Sequence, residues 1–363
     1  MLNSLTLKNF KPFEDQSFSL KKLTLISGLN STGKSSLLQS LLLLRQSYQQ
    51  DLLPDIGLAL NGDLVCIGTA QDALFDRAEE DIITFEILAD DIISQWIFKY
   101  DKDSDVMEIL SSINACSTYS LNIFTDKFYY IQAERMSPQA YFQTSDFQVK
   151  QHQQIGSRGE FTAHFLSTYE KQKITDPKLS HPEAISLNLQ NQVEAWIGEI
   201  SPGTRIEIQS HSTMDLVSLQ YSYGLSNPYR STNVGFGITY TLPIIVSLLS
   251  AAPDTLILLE NPEAHLHPKG QSKMGELLAL AASCGIQIIV ETHSDHVLNG
   301  IRRAVRHNQV NADDIQIHYF DRYLQSGKAT TKIVSPRIYQ DGGIDKWPDG
   351  FFDQAEKDLM ELL

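Results

Sequence analysis

Cysteine is scarce in this chain. The 363 residues hold three, Cys66, Cys116 and Cys284, far apart and with no Cys-x-x-Cys spacing. Neither a disulfide framework nor a zinc site is signalled, and a reducing cytoplasm fits. Long hydrophobic runs are missing too. The most apolar stretches, 37–44 and 242–252, fall short of the roughly 20 residues a membrane helix needs. The start, Met1-Leu-Asn-Ser-Leu-Thr-Leu, has no basic region followed by an apolar block, so no export signal is visible. A soluble cytoplasmic protein without membrane contact is expected. Positive charge is also in deficit: 29 Lys and Arg against 44 Asp and Glu give a net charge of −15. That balance counts against coating nucleic acid by bulk electrostatics, although it leaves a local basic groove open. The two modest basic clusters, Lys8/Lys11/Lys21/Lys22 and Arg302/Arg303/Arg306, read as solvated faces.

What is present begins with an ordinary globular composition, 42% hydrophobic, enough for a sizeable core. The decisive segment is Leu23-Thr-Leu-Ile-Ser-Gly28-Leu29-Asn30-Ser31-Thr32-Gly33-Lys34-Ser35-Ser36, a strand-like run, then GxxxxGKS, then a leucine-rich helix start. Gly28 and Gly33 let successive backbone N–H groups turn inward around a phosphate, and the helix directs its positive end at it. Lys34 would reach the β- and γ-phosphates, and the Ser35 hydroxyl would ligate Mg²⁺. The flanking strand and helix make a nucleoside triphosphate the expected ligand.

Three zones follow along the chain. Short strand patterns dominate from residue 2 to about 132, at 5–10, 22–27, 81–88, 95–100, 106–110 and 127–131, interrupted by a helix from Lys34 to about Gln50. From Met136 to about Arg230 the composition becomes rich in Gln, Ser and His, broken by Pro138, Pro177, Pro182 and Pro202. One helix, about 184–200, and two strands, 204–209 and 216–221, are expected there. From Val234 on, helices alternate with strands at 255–259, 286–290 and 315–320. The chain reads as one α/β nucleotide-binding fold: residues 1–135 and 231–363 form its two parts, and 136–230 an inserted, partly helical subdomain.

Two further motifs lie in the last zone. Thr255-Leu-Ile-Leu-Leu-Glu260-Asn261-Pro262-Glu263-Ala-His265-Leu-His267-Pro268 is an apolar strand ending in an acid, the Walker B arrangement, which projects a carboxylate toward the Mg²⁺. Ile286-Gln-Ile-Ile-Val-Glu291-Thr292-His293-Ser294-Asp295 is a second buried-type strand, ending in a histidine able to hydrogen-bond the γ-phosphate. His265/His267 and His293/His296 as metal ligands are the weaker reading. Asp101, Asp103 and Asp105 fall in an expected hairpin turn, where Asp is favoured by local backbone hydrogen bonds.

Together, GLNSTGKS, LILLENPEAHLHP and IIVETHSDH resemble a soluble ABC-type ATPase head of the OLD, RecF and SMC-like AAA ATPases. The ending Gly342-Gly-Ile-Asp-Lys-Trp347-Pro348-Asp-Gly-Phe351-Phe352-Asp resembles a C-terminal piece of unknown function found on a subset of them. The resemblance spans roughly 1–132 and 231–363. It implies a P-loop NTPase of ABC type, with a mixed central sheet and antiparallel N-terminal strands, and cofactors ATP and Mg²⁺. It also implies a homodimer or higher oligomer in which each ATP is sandwiched between the phosphate loop of one copy and the signature segment of another. Residues 28–36 would hold the phosphates. Ser35, Gln132 and Glu260 would support Mg²⁺, and Asn233 and Gly235 would stand in the signature segment before an apolar helix. Residues 264–267 would occupy the loop between the two sites.

The chain departs from that family at Glu260-Asn261-Pro262, where many heads read Asp-Glu-Pro. Asn261 takes the general-base place, and an amide orients a water without accepting its proton as a carboxylate does. Either Glu260 or Glu263 then supplies the base, or hydrolysis is slow and ATP serves mainly to hold a dimer. The expected catalytic group is Glu260, Asn261, Glu263 and His293. The favoured function is a slowly hydrolysing, ATP-gated dimeric switch for a separately encoded effector, in bacterial antiphage defence by family analogy alone. The alternative is a DNA-repair or DNA-sensing head. A small-molecule kinase is weakened by the roughly 225 residues between Ser35 and Glu260, and a nuclease in cis by the short stretch after the last strand.

Overall fold

The computed structural model describes residues 1–325 and 328–362, with the backbone alone described at Ala115, Cys116, Gln325, Lys328 and Ala355. Cys66 and Cys284 are free thiols, and the Cys116 side chain lies outside the described residues. The chain divides into two compact units. One comprises Met1–Thr125, Ile315–Arg337 and Ile344–Leu363; the other comprises Asp126–Asp314 and Ile338–Gly343.

The first unit opens with β1 (Leu2–Phe10), β2 (Phe13–Ser19), β3 (Leu23–Gly28) and α1 (Lys34–Gln49). Next come β4 (Gly57–Ala59), α2 (Ala70–Ala73), β5 (Ile82–Ala89), β6 (Ile92–Lys99), β7 (Val106–Ile113) and α3 (Ala115–Thr118). Strands β2-β1-β5-β6-β7-β4 form an antiparallel sheet in that order. Its inner face is aromatic: Phe10, Phe18, Phe85, Trp96 and Phe98 are fully buried. Asp101, Asp103 and Asp105 lie in the β6–β7 hairpin connection, closed by Ser104 N–H on the Asp101 oxygen at 3.0 Å.

The same unit carries β3, every residue of which before Gly28 is buried. It pairs in parallel with β15 (Ile315–Gln325), and β15 pairs antiparallel with β16 (Lys328–Val334). Helix α1 follows β3 and is buried on nearly all sides, with Leu37, Leu38 and Leu41–Leu44 in the core. Its far end is anchored by Arg45, whose Nη1 donates to the Ile123 and Thr125 oxygens at 2.6 and 2.8 Å. The unit ends in α9 (Gln354–Leu362).

The second unit contains three parallel strands in the order β8 (Phe128–Ile131), β13 (Leu256–Glu260), β14 (Gln287–Glu291). Register sets Leu259 beside Ile131 and Glu260 beside Glu291, so the three strands end together. Their near-continuous apolar runs are what a sheet buried on both faces requires. Helices α6 (Phe236–Ser250), α7 (Pro268–Ser283) and α8 (Asp295–Arg306) connect and follow them. A smaller antiparallel group holds β9 (Phe142–Gln143), the hairpin β10 (Thr204–His211) and β11 (Leu216–Tyr223), and β12 (Tyr229–Arg230). Helices α4 (Thr162–Tyr169) and α5 (Leu189–Gly198) belong to this unit too.

Three local expectations are corrected. The helix expected over 184–200 starts only at Leu189. Ser186 Oγ donates to Asn191 Oδ1 at 2.7 Å and accepts from Asn188 N–H at 3.1 Å, so side-chain bonding occupies the residues before it. The middle zone holds a second helix, α4. With eight residues it is too short for helical periodicity to show in the sequence. Strand β2 was also not expected, because its buried Phe13 and Phe18 stand five apart and break the alternation of a strand. Among the described residues no helix is long and apolar enough to cross a membrane.

Candidate functional site

The phosphate loop lies in the first unit, between β3 and α1. Gly28 has φ 139°, and a methyl group there would overlap the main-chain oxygen of Phe320 on β15. That oxygen accepts from Leu29 N–H at 3.1 Å, which fixes where the loop leaves the sheet. Gly33, at φ 101°, is the N-cap of α1, and a Cβ there would stand 2.5 Å from the Pro12 ring. Ser31 also adopts a positive φ, 60°. Glycine is required at the first two positions by conformation and by space.

Between the glycines, buried Thr32 ties the loop to itself by Oγ1 on the Leu29 oxygen at 2.7 Å, and its own oxygen accepts from Thr331 Oγ1 at 3.0 Å. Lys34 is 4% exposed, its Nζ donating to the Gly28 and Leu29 oxygens at 3.1 and 2.7 Å. Leu29, Asn30, Ser31 and Ser35 face solvent, and Ser36 is buried. No acidic residue occupies the first turn of α1. A strained glycine cradle, a lysine folded over its rim and a helix start free of acids fit a triphosphate.

The carboxylate cluster lies in the second unit, at the ends of β8, β13 and β14. Glu260 accepts from Tyr130 Oη at Oε1, 2.9 Å, and from Ala133 N–H at Oε2, 3.0 Å. Burial first, then the Glu260 charge, hold the Tyr130 phenol above its ordinary value of 10.0, so it stays a donor. Asn261 turns the chain with φ 44°, a left-handed conformation that asparagine tolerates well. Its N–H donates to the Glu291 oxygen at 2.8 Å. Glu291 itself is buried beside Glu260. Gln132, the last expected metal residue, is fixed through its backbone, with N–H on the Ser157 oxygen at 3.0 Å.

Glu263 closes the loop after β13 onto the end of β14. Its oxygens accept from Thr292 Oγ1 at 2.7 Å and from His293 N–H at 2.8 Å. The exposed His293 ring thus rides on a turn that Glu263 holds. The turn continues into α8, where Ser294 caps the helix by accepting from Val297 N–H at 3.1 Å and donates to Gln271 Oε1 at 2.6 Å.

Asn233 and Gly235 are exposed in the segment leading into α6, and Gly235 is its N-cap. The 264–267 loop packs on that helix start. His265 meets the Tyr240 ring edge-on at 4.8 Å and Phe236 at 5.5 Å. A Cβ on Gly237 would come within 2.7 Å of the His265 oxygen, so glycine permits this approach. His267 serves as the N-cap of α7, its Nδ1 accepting from Lys269 N–H at 3.3 Å. Phosphate-loop residues 28–36 and Ser35 therefore belong to the first unit. Gln132, Asn233, Gly235, Glu260, Asn261, Glu263 and His293 belong to the second.

Family comparisons bear on both units. Residues 1–92 match the model described as "AAA ATPase domain", and residues 188–299 match "AAA domain, putative AbiEii toxin, Type IV TA system". Matches to AAA ATPase domain models thus fall in both units. Residues 310–362 match "Protein of unknown function (DUF3696)". Among solved structures, this chain is similar to an SMC head bound to the C-terminal winged-helix domain of ScpA. Identity is 14% and the TM-score 0.56, over 93% of this chain and 98% of that one. It is likewise similar to an SMC head with an extended coiled coil, bound to a C-terminal domain of ScpA, from Pyrococcus furiosus. That match has 12% identity and a TM-score of 0.52, over 99% of each chain. The fold is that of a P-loop NTPase of ABC type. No curated protein matches it.

Sequence reading missed two groups of this site, Tyr130 and Arg135. Arg135 is 1% exposed, and its guanidinium meets the main chain at three places. Nη1 donates to the Gln132 and Glu260 oxygens at 3.1 and 2.8 Å, and Nη2 to the Asn261 oxygen at 2.7 Å. Burial lowers its pKa to about 10, against the pull of Tyr240, Glu263 and Glu260. The available signal was an arginine just past the end of a buried strand, where an ion is rarely buried without a task.

Proposed function

We propose that this ATPase binds MgATP on the phosphate loop and hydrolyses it slowly. The bound nucleotide then acts as a switch between copies of the chain that governs a separately encoded effector. The observation that carries the reading is the cradle at Gly28 and Gly33, with Lys34 folded over its rim on two loop oxygens. Backbone N–H groups of residues 28–36 hold the phosphates, and Lys34 exchanges the Gly28 and Leu29 oxygens for phosphate oxygens. Ser35, Gln132 and Glu260 would hold Mg²⁺, which would supply charge neutralisation to the phosphates.

The second-unit residues divide the remaining work. Tyr130 and the Ala133 N–H orient the Glu260 carboxylate. Asn261 orients the attacking water by hydrogen bonding and leaves its proton to be lost by a slower route, so turnover is slow. Glu263 holds the turn that presents His293 to the γ-phosphate. Asn233 and Gly235, at the start of α6, meet the nucleotide of a second copy. The match of residues 188–299 to the family model described as "AAA domain, putative AbiEii toxin, Type IV TA system" supports a defence setting, which we take to be against phage, and the ScpA-bound SMC heads support a protein partner.

Calorimetric titration with MgATP tests the reading. Saturable binding that Lys34→Ala weakens about tenfold or more supports it; no binding at millimolar ATP overturns it. One observation favours a second reading, a DNA-sensing head. A groove of about 460 Å³ is lined by Arg302, Arg303 and Arg306 on α8, with Asn299, Asp341 and Gly342. Arg302 is engaged there, on the Gly342 oxygen and Asn299 Oδ1 at 2.8 Å each, while Arg303 and Arg306 are exposed. Duplex binding that falls steeply with salt and is lost in Arg303→Glu/Arg306→Glu would support it; no binding at moderate salt would remove it.

A further inference from the structure

Burying a guanidinium removes it from water at an effective penalty of several kcal/mol, so its partners must repay that. The partners of Arg135 are unusual for such an ion. Among the described residues its hydrogen bonds go to three main-chain oxygens, of Gln132, Glu260 and Asn261, and to no carboxylate. Among the described residues its Nε has no partner, so the charge is held below full satisfaction. The guanidinium carbon Cζ lies over the Tyr240 ring, 5.2 Å from the ring centre.

Tyr240 stands on the first turns of α6 and packs edge-on against His265 at 4.8 Å. Arg135 therefore joins three segments, the end of β8, the end of β13 and the start of α6, and Tyr240 extends the chain of contacts to the 264–267 loop. Two of the oxygens that Arg135 grips belong to Glu260 and Asn261. Those residues support the metal and orient the water in the function proposed above, on which this inference rests. The Asn261 turn is left-handed, and its oxygen bond to Nη2 is one of the contacts that keep it so.

We propose that Arg135 is a positioning residue coupling the start of α6 to the Glu260–Asn261 turn, with Tyr240 as the contact that transmits a shift of the helix. A displacement of α6 moves the Tyr240 ring, and the planar guanidinium on it follows. Its rigid fork carries the two oxygens of the turn along. Lysine cannot reproduce the link, because a single ammonium neither spans three carbonyls nor stacks as a plane. The sequence of contacts also explains why an arginine is tolerated in a place where an apolar residue would pack at lower cost: only a fork reaches both strand ends at once.

The test uses the full chain with Arg135→Lys, Tyr240→Leu and the double variant. For each, kcat and KM for ATP are measured, with hydrogen exchange over residues 260–266. Arg135→Lys is expected to lower kcat about tenfold or more while KM stays within about threefold, the signature of lost positioning rather than lost binding. Tyr240→Leu, which leaves the three carbonyl bonds in place, is expected to lower kcat about three- to tenfold and to speed exchange of the Asn261 and Ala264 amides. The double variant is expected to be no slower than Arg135→Lys, because both changes cut one link.

Unchanged kcat in folded Arg135→Lys, or fully additive losses, would overturn the coupling. If Arg135→Lys does not fold, Tyr240→Leu decides: unchanged exchange over 260–266 contradicts the proposal. Exchange needs no nucleotide, so an inactive wild type would count against the ATPase reading while the exchange result still judges the coupling.

Discussion

The Tyr130 hydroxyl donates to Glu260 Oε1 at 2.9 Å from the neighbouring parallel strand, while Ala133 N–H takes the other carboxylate oxygen. Glu260 is thus aimed by two donors before any metal arrives. Tyr130→Phe keeps the ring and deletes one donor. A hydrogen bond to a charged group contributes about 1.5–3 kcal/mol. The variant is expected to need about tenfold more Mg²⁺ for half-maximal ATPase activity, with a small loss of stability. A Mg²⁺ titration of turnover checks this; an unchanged midpoint would remove Tyr130 from metal support.

In the proposed function Asn261 limits the chemistry rather than the binding. Asn261→Asp restores a carboxylate and tolerates the φ of 44°. It is expected to raise kcat about tenfold or more, within the range of general-base catalysis, with ATP affinity little changed. Asn261→Ala is expected to slow turnover further. Brisk hydrolysis by the native chain, left untouched in Asn261→Ala, would contradict the role given to this residue.

Gly28→Ala and Gly33→Ala act on the cradle. The first would overlap the Phe320 oxygen and the second would crowd the Pro12 ring, both from left-handed or strained backbone. Each is expected to cost about 1–3 kcal/mol of stability and to abolish measurable ATP binding. Thermal unfolding monitored by circular dichroism, together with a nucleotide-binding titration, checks both; native affinity in either variant would contradict the loop geometry.

His318 on β15 gives a pH prediction. Its Nε2 lies 2.9 Å from the Ser19 oxygen, which can only accept, so Nε2 carries the proton. Nδ1 then accepts from Ser335 Oγ at 2.9 Å. Burial holds its pKa below the ordinary 6.5, partly opposed by the Ser19 bond. Below 6.5 the unfolded chain binds a proton that the folded chain resists, so stability falls as pH drops through that value and is flat above it. His318→Gln is expected to reduce this acid limb in urea midpoints measured from pH 5 to 8. An unchanged limb would assign it to other groups.

Local elements were legible in the sequence and long-range assembly was not. GxxxxGKS, the Glu260 strand and the His293 strand each carry their signal within about a dozen residues, and each is an element of the kind expected from it. Arg135 has no such signal. Its partners at 260 and 261 arrive only because β8 and β13 lie side by side, about 125 residues apart in sequence. Tyr130 was hidden the same way, as one aromatic in a buried strand. Helix α4 and strand β2 were lost for a different reason, having too few residues or too irregular a spacing for either period to register.

The central claim, a nucleotide-gated association of copies, is tested most directly by sedimentation velocity of the full chain with MgATP and with MgADP. The account predicts a monomer with MgADP, a dimer or larger species with saturating MgATP, and persistence of that species in Glu260→Gln beyond its lifetime in the native chain. A sedimentation distribution identical with and without saturating MgATP, in both proteins, would contradict it.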